Sequence, residues 1–187
     1  MQSNESTTAP STPINREGGL AIDGAQAQHF LREHFHPDSS AVQEIGAGAW
    51  SRCYGFQAGD EALVVRFGRY VDDFQTDQRA YRYRAPTLPV PEVRAIGRAF
   101  DGYYAVSTRC YGDVLENLSP DRWRAVVPSL VNALESLRTS DLSGTSGFGG
   151  WGGSGHASNA RWSEHLLRVA DDTPERRNQG WRALLAA

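Results

Sequence analysis

Three glycines, Gly46, Gly48 and Gly55, stand in the stretch "EIGAGAWSRCYGF" (residues 44–56), the first two as a Gly-x-Gly pair. A run "EALVVRF" follows and carries Arg66, and the segment "DDFQTDQRAYRYRA" after it carries Asp77. Glycine has no Cβ, so a Gly-x-Gly turn lets backbone N–H groups come close to phosphate oxygens. An arginine on the next strand can neutralise phosphate charge with several N–H donors at once. A carboxylate on the helix beyond can hold that arginine in place. Each residue also has a plainer reading: a β-turn for the glycines, a surface strand position for Arg66, a solvated helix face for Asp77. The ordered succession of glycine turn, basic strand and acidic helix favours the chemical reading of all three together.

The element directly after the glycines selects among phosphate-binding devices. A dinucleotide fingerprint needs a helix there, whose N-terminus faces the pyrophosphate. "RCYGFQAGDEALVVRF" reads instead as strand, turn, strand. A Walker-A loop needs Gly-Lys-Ser/Thr, which is absent. A glycine-rich hairpin lying over the phosphates of ATP fits the order of elements.

The elements that must position these residues are legible in the pattern. Residues 1–20 are rich in Ser, Thr, Pro and Asn and read as a disordered tail. Asp23 can cap a helix over "GAQAQHFLREHF", with Ala27, Phe30, Leu31 and Phe35 near helical spacing, and Pro37 ends it. "AVQEIG", "SRCYGF" and "EALVVRF" read as three short strands. Residues 72–85 read as a helix, "LPVPEVRAIGRAF" as an extended entry and a strand, and "DGYYAVSTRC" as a turn and a strand. Past Gly112 strand signals stop. Ser119 and Pro120 start a helix whose stripe runs from Trp123 to Leu137 and reads as core. "DLSGTSGFGGWGGSGHASN" reads as loop, a helix opens at Ser158 or Asn159, and another opens at Thr173-Pro174. The division expected is a tail over 1–20, a β-rich unit over 21–112 and a helical unit over 113–187.

Composition bounds the partners. Net charge is −3, which leaves no nucleic-acid footprint. None of the 19 basic residues is lysine, so any site that needs a cation must use arginine. Arg79, Arg82 and Arg84, with Tyr81 and Tyr83, read as a solvated helix face. Cys53 and Cys110 each lie in an apolar run and read as small buried hydrophobes. His29, His34 and His36 read as ordinary surface histidines rather than metal ligands. No stretch is long and apolar enough to span a membrane, and the N-terminus has no secretory pattern, so a cytoplasmic protein is expected.

Several stretches together carry a family resemblance. "SRCYGF", "VVRF", "TDQRAYRY", "LPVPEVRAIG" and "DLSGTSGFGGWG" resemble the aminoglycoside phosphotransferases of the hygromycin B phosphotransferase type, from about residue 25 to about residue 165. The resemblance implies an α+β, protein-kinase-like fold: an antiparallel five-stranded N-lobe with helices, followed by an incomplete helical C-lobe. It implies ATP-dependent phosphorylation of a hydroxyl on an aminoglycoside or similar small molecule. Carried over by position, Gly46, Gly48 and Ser51 match the loop over the phosphates. Arg66 matches the place where kinases usually have lysine, and Asp77 matches its acidic partner. The backbone of Thr108, Arg109, Cys110 and Tyr111 matches the adenine-facing connection between lobes.

The family's catalytic loop, His-x-Asp…Asn, and its later metal-binding Asp have no counterpart. His36-Pro37-Asp38 has the His-x-Asp spacing but precedes the glycine hairpin and lacks the downstream Asn. Asp171-Asp172 lacks the His and the Asn. No catalytic residue is therefore assigned, and the Mg²⁺ ligands are expected in the part of the family fold that is missing. The chain is expected to be a truncated form with little or no activity, or to be completed by another polypeptide. Trp151, Trp162 and Trp181 are expected to lack some of their packing partners. The alternative is a non-catalytic module that binds nucleotide or a partner. An active enzyme with an unrecognised base ranks last.

Overall fold

The computed structural model describes residues 20–35, 42–47 and 51–167. Its first helix, α1 (Gly24–Phe35), starts on a reciprocal cap. The Gln26 N–H donates to Asp23 Oδ1 at 2.8 Å, and the Asp23 N–H donates to Gln26 Oε1 at 2.9 Å. Two orphan donors at the helix start are thereby satisfied. Ala27, Phe30 and Leu31, spaced i, i+3, i+4, form the buried face.

Five strands follow: β1 (Gln43–Ala47), β2 (Ser51–Ala58), β3 (Glu61–Gly68), β4 (Val93–Ala99) and β5 (Gly102–Thr108). They form one antiparallel sheet in the order β1-β2-β3-β5-β4. Successive side chains on a strand point to opposite faces, so each strand contributes to two environments. Tyr54 and Phe56 of β2, Leu63, Val65 and Phe67 of β3, and Val106 of β5 pack with α1 into one buried cluster. Leu20 is also buried there, although the sequence pattern assigned it to the tail. Phe67 meets Phe30 edge-on at a centroid distance of 5.3 Å, and the buried Tyr54 hydroxyl donates to the Ile22 carbonyl at 2.6 Å. The alternate residues, Cys53, Val64, Arg66, Ala105 and Ser107, face the other side and line a cleft.

Helix α2 (Val71–Ala80) lies beside that cleft, with Phe74 as its buried residue. It is shorter than the helix read over 72–85. A 3₁₀ turn, Tyr81–Tyr83, ends it, and Arg84 is already extended. Pro86 disfavours helix at Ala85, the residue before it, so the helix could not have continued through the end of the stretch read as helical.

Beyond the sheet, Ser119 caps α3 (Pro120–Arg138), its side chain accepting the Arg122 N–H at 3.4 Å. The stripe read as core is not buried. Trp123 is 41% exposed, and Val127, Val131, Leu134 and Leu137 are exposed with it. The helix forms through its cap and its propensities, but no described element covers the apolar face. The glycine-dense segment is not all loop. It holds a two-stranded antiparallel hairpin, β6 (Phe148–Trp151) and β7 (Ala157–Asn159). Its strands are short and poor in β-branched residues, so composition hid them. Asn159 ends β7 instead of opening a helix, and α4 spans Trp162–Leu167. Trp162 is exposed. The readings placed on Pro37, the His36-Pro37-Asp38 triplet, Gly48, Asp171-Asp172, Trp181 and the helix opening at Thr173-Pro174 lie outside the described residues, as does the tail before Leu20.

Phe67 touches both layers of the core. Truncation by Phe67→Ala is expected to destabilise the fold by about 3–5 kcal/mol, measured as a fall in the urea midpoint. A change below about 1 kcal/mol would show that the α1–sheet cluster is not the main core.

Candidate functional site

Strand register assembles the site. Cys53 on β2 pairs with Arg66 on β3, which pairs with Ala105 on β5, and Val64 pairs with Ser107. These residues share the face turned away from α1. Together with Ile45, Gly46, Ala80, Val90, Pro91 and Val93 they line a cleft of about 410 Å³. Arg66 also reaches a second hollow of about 360 Å³, lined by Ser51, Gly68, Thr76 and Trp151 among others. Asp77 lines both hollows, so the two residues form the shared wall. Other surface hollows, one between residues 82–85 and the end of α3 and one beside β4, contain neither residue.

Across that wall the Arg66 Nη2 donates to Asp77 Oδ2. The Arg66 guanidinium also lies 4.9 Å from the ring centre of Phe74, a cation–π approach that braces it from the helix side. The pair is only partly exposed, 33% for the arginine side chain and 46% for the aspartate. A guanidinium carries five N–H donors in a planar fork. The hydrogen bond to Asp77 uses one of them, and the remaining donors have the chemistry to meet an anion.

Gly46 lies on exposed β1, and among the described residues nothing comes within 4 Å of where its Cβ would be. The glycine therefore leaves open space at the cleft mouth. Ser51 opens β2 at the edge of the second hollow. Gly48 lies outside the described residues.

The four connection residues sit beyond the end of the cleft. The Thr108 N–H donates to the Glu92 carbonyl, and the Arg109 N–H donates to the Ala62 carbonyl, each at 3.0 Å. Both donors are thus used within the sheet. Cys110 and Tyr111 lie past the end of β5 and are exposed. The Arg109 side chain turns back over the sheet, donating to Gln43 Oε1 at 3.4 Å and lying 4.8 Å from the centre of the Tyr111 ring. None of the four lines the 410 Å³ cleft; Ser107 does.

Residue-by-residue reading missed Cys53, Val64, Ala105 and Ser107. Val64 could have been found from alternation, since it lies two residues before Arg66 on the same strand face. The other three needed the pairing register. Cys53 is not a plain buried hydrophobe, and Cys110 is exposed. Burial pushes the Cys53 thiol up, opposed by the nearby Arg66 charge and a hydrogen bond with Ser51. The reading of Arg79 as solvated also fails. Its Nη2 donates to the Gly144 carbonyl at 2.7 Å, and its Nε is buried with no partner among the described residues. Of the other histidines, His29 pairs with Glu33 on the surface and His34 stacks on Phe30. Among the described residues no group of three or more His, Cys, Asp or Glu side chains could hold a metal ion. Nor is any described helix long and apolar enough to cross a membrane.

Comparison with known proteins bears out the resemblance read from the sequence. The hygromycin-B 4-O-kinase of Escherichia coli is 32% identical over 152 residues, covering 80% of this chain and 44% of that protein. The crystal structure of the aminoglycoside phosphotransferase APH(4)-Ia superposes with a TM-score of 0.73 at 29% identity, over 86% of this chain and 53% of that one. A thermostable mutant of the same phosphotransferase, in ternary complex with AMP-PNP and hygromycin B, superposes with a TM-score of 0.72 at 28% identity, over 83% and 52%. No protein-family model matches the chain. The fold is thus the kinase-like one of the aminoglycoside phosphotransferases, and the chain spans about half the length of these relatives.

The thiol environments make a direct check of the cleft. Thiolate is the reacting form. Exposed Cys110 should alkylate at least ~10-fold faster than Cys53 near neutral pH, and C110S should leave only the slow phase. Equal rates would place Cys53 outside a shielded cleft.

Proposed function

We propose that this chain forms the nucleotide-holding part of an ATP-dependent phosphotransferase acting on a hydroxyl of an aminoglycoside or a similar small molecule. The carrying observation is the Arg66–Asp77 pair at the meeting of two hollows, beside the glycine-bearing edge of the sheet. Asp77 orients the guanidinium, and the free edge of the fork suits phosphate oxygens. The space left at Gly46 accommodates a close phosphate approach. Val64, Ala105 and Val93 offer an apolar bed for adenine. With the Thr108 and Arg109 N–H groups engaged in the sheet, Cys110 and Tyr111 are the connection residues we assign to its polar edge. The relatives support the same reading, since the similar phosphotransferase binds AMP-PNP and hygromycin B.

ATP supplies the phosphoryl group in such a reaction. These residues contribute binding and orientation: a positive fork at the phosphates and a shielded slot for the base. Among the described residues no group of three or more His, Cys, Asp or Glu side chains could hold a metal ion, and no step through Mg²⁺ is assigned to them. The sequence holds no His-x-Asp…Asn loop, so the 187 residues by themselves are expected to bind nucleotide and to transfer little phosphate. An ATP-dependent role is consistent with a cytoplasmic protein.

A second reading is favoured by α3. Its uncovered stripe, Trp123 to Leu137, is the kind of surface that packs against further helices. Those helices belong to the rest of a kinase-like fold, on the same polypeptide or on a complementing one. A non-catalytic nucleotide-binding module would use the same cleft without them.

ATP titration with Mg²⁺ tests the proposal. Saturable binding is expected, with Arg66→Ala weakening it about tenfold or more, as for loss of a charged hydrogen bond. Arg66→Lys should fall between, because it keeps the charge and loses the fork. No saturable binding at millimolar ATP would overturn the nucleotide reading. Efficient phosphorylation of hygromycin B by the purified 187-residue chain would overturn the expectation of low activity.

A further inference from the structure

The glycine-dense segment contributes Trp151 to the second hollow, and it also grips α2. The Gly153 N–H donates to Asp72 Oδ1 at 2.9 Å, and Arg79 donates to the Gly144 carbonyl at 2.7 Å. The Arg79 guanidinium lies 5.9 Å from the ring centre of Trp151, whose ring also meets Tyr83 edge-on. A Cβ at Gly155 would overlap the Arg79 guanidinium, and the backbone there has φ +78°. Only glycine both adopts that conformation freely and lets the arginine pass.

Helix geometry shows what this grip does. At 3.6 residues per turn, Asp72, Gln75 and Arg79 fall within an arc of roughly 60°. Phe74 and Asp77 lie on the roughly opposite side, against the sheet and Arg66. Helix α2 is therefore held between two layers. Its sheet side is thin, with Phe74 as its buried residue. The other side is held by the segment 144–155, through two hydrogen bonds and the Trp151 ring. The Nε of Arg79 is buried without a partner among the described residues, a cost that the Gly144 bond and the indole contact offset.

We propose that the segment 144–155 is a clamp that sets the position of α2 and so keeps Asp77 against Arg66, with Arg79 and Asp72 as its positioning residues. The step from the segment to α2 stands on the contacts above. The step from α2 to the nucleotide rests on the reading of Arg66 given under Proposed function.

The test uses the full chain labelled with 5-fluorotryptophan, with the Trp151 resonance assigned by W151F. Nucleotide affinity and amide exchange of α2 are measured on the same variants. Arg79→Ala should shift the Trp151 resonance, speed exchange over residues 71–80 while α1 and β3 keep theirs, and weaken ATP binding by roughly three- to thirtyfold. Asp72→Ala should act in the same direction. Asp72→Asn keeps an oxygen acceptor for the Gly153 N–H and should recover most of what Asp72→Ala loses. The losses of Arg66→Ala and Arg79→Ala should fall short of additive, because both act on one pair. A shifted Trp151 resonance with unchanged α2 exchange would overturn the clamp, as would unchanged resonance and exchange in Arg79→Ala. If wild-type protein binds no ATP, the nucleotide reading fails, and α2 exchange alone decides the clamp. If wild type binds and Arg79→Ala loosens α2 without loss of affinity, the coupling to the nucleotide site is overturned.

Discussion

Arg66 and Asp77 join two elements that local forces leave separate. Strand β3 lies in the middle of the sheet, paired on both sides and buried on its α1 face. Helix α2 has a single buried side chain and an N-cap residue without a side-chain cap bond. An ion pair between partly exposed groups adds little to global stability. Its weight here is geometric. It ties the helix to the strand, with the Phe74 ring beside the guanidinium, and both residues form part of the wall of each adjoining hollow.

The sheet can serve as both core and cleft because strand side chains alternate. One set of residues, from Tyr54 through Val65 and Phe67 to Val106, is spent on packing against α1. The intervening set is left free of that duty and can carry Arg66, Cys53 and Ser107 on the other face. The buried side therefore holds the cleft-lining side in register without any of Arg66, Cys53 or Ser107 entering the core. A one-residue slip of β3 would exchange the two sets and place Arg66 among aromatic rings.

The helical part differs in kind. Helix α3 is well formed yet uncovered, with Trp123 and four aliphatic residues exposed along it. The chain spans about half the length of the phosphotransferases it resembles, and among the described residues none covers that stripe. The hairpin β6–β7 is the exception, since it packs back onto α2 through Asp72 and Arg79.

Local rules were sufficient for much of this. Asp23 and Ser119 announced their helices, because a cap is a contact over three residues. The five strands of the sheet followed from short apolar runs between glycine turns, and the order of glycine turn, basic strand and acidic helix located Arg66 and Asp77 from local pattern alone. Tertiary structure decided what depends on distant partners. Composition marked 141–159 as loop, and only the pairing of Phe148 with Asn159 makes a hairpin there. Arg79 looked solvated because its partners, Gly144 and Trp151, lie more than sixty residues away. The α3 stripe looked like core because periodicity reports that a face is apolar and says nothing about what covers it. Sequence thus determined which residues have the chemistry, through contacts a few residues long. The fold decided which of them meet, since register and docking join positions that local spacing does not connect.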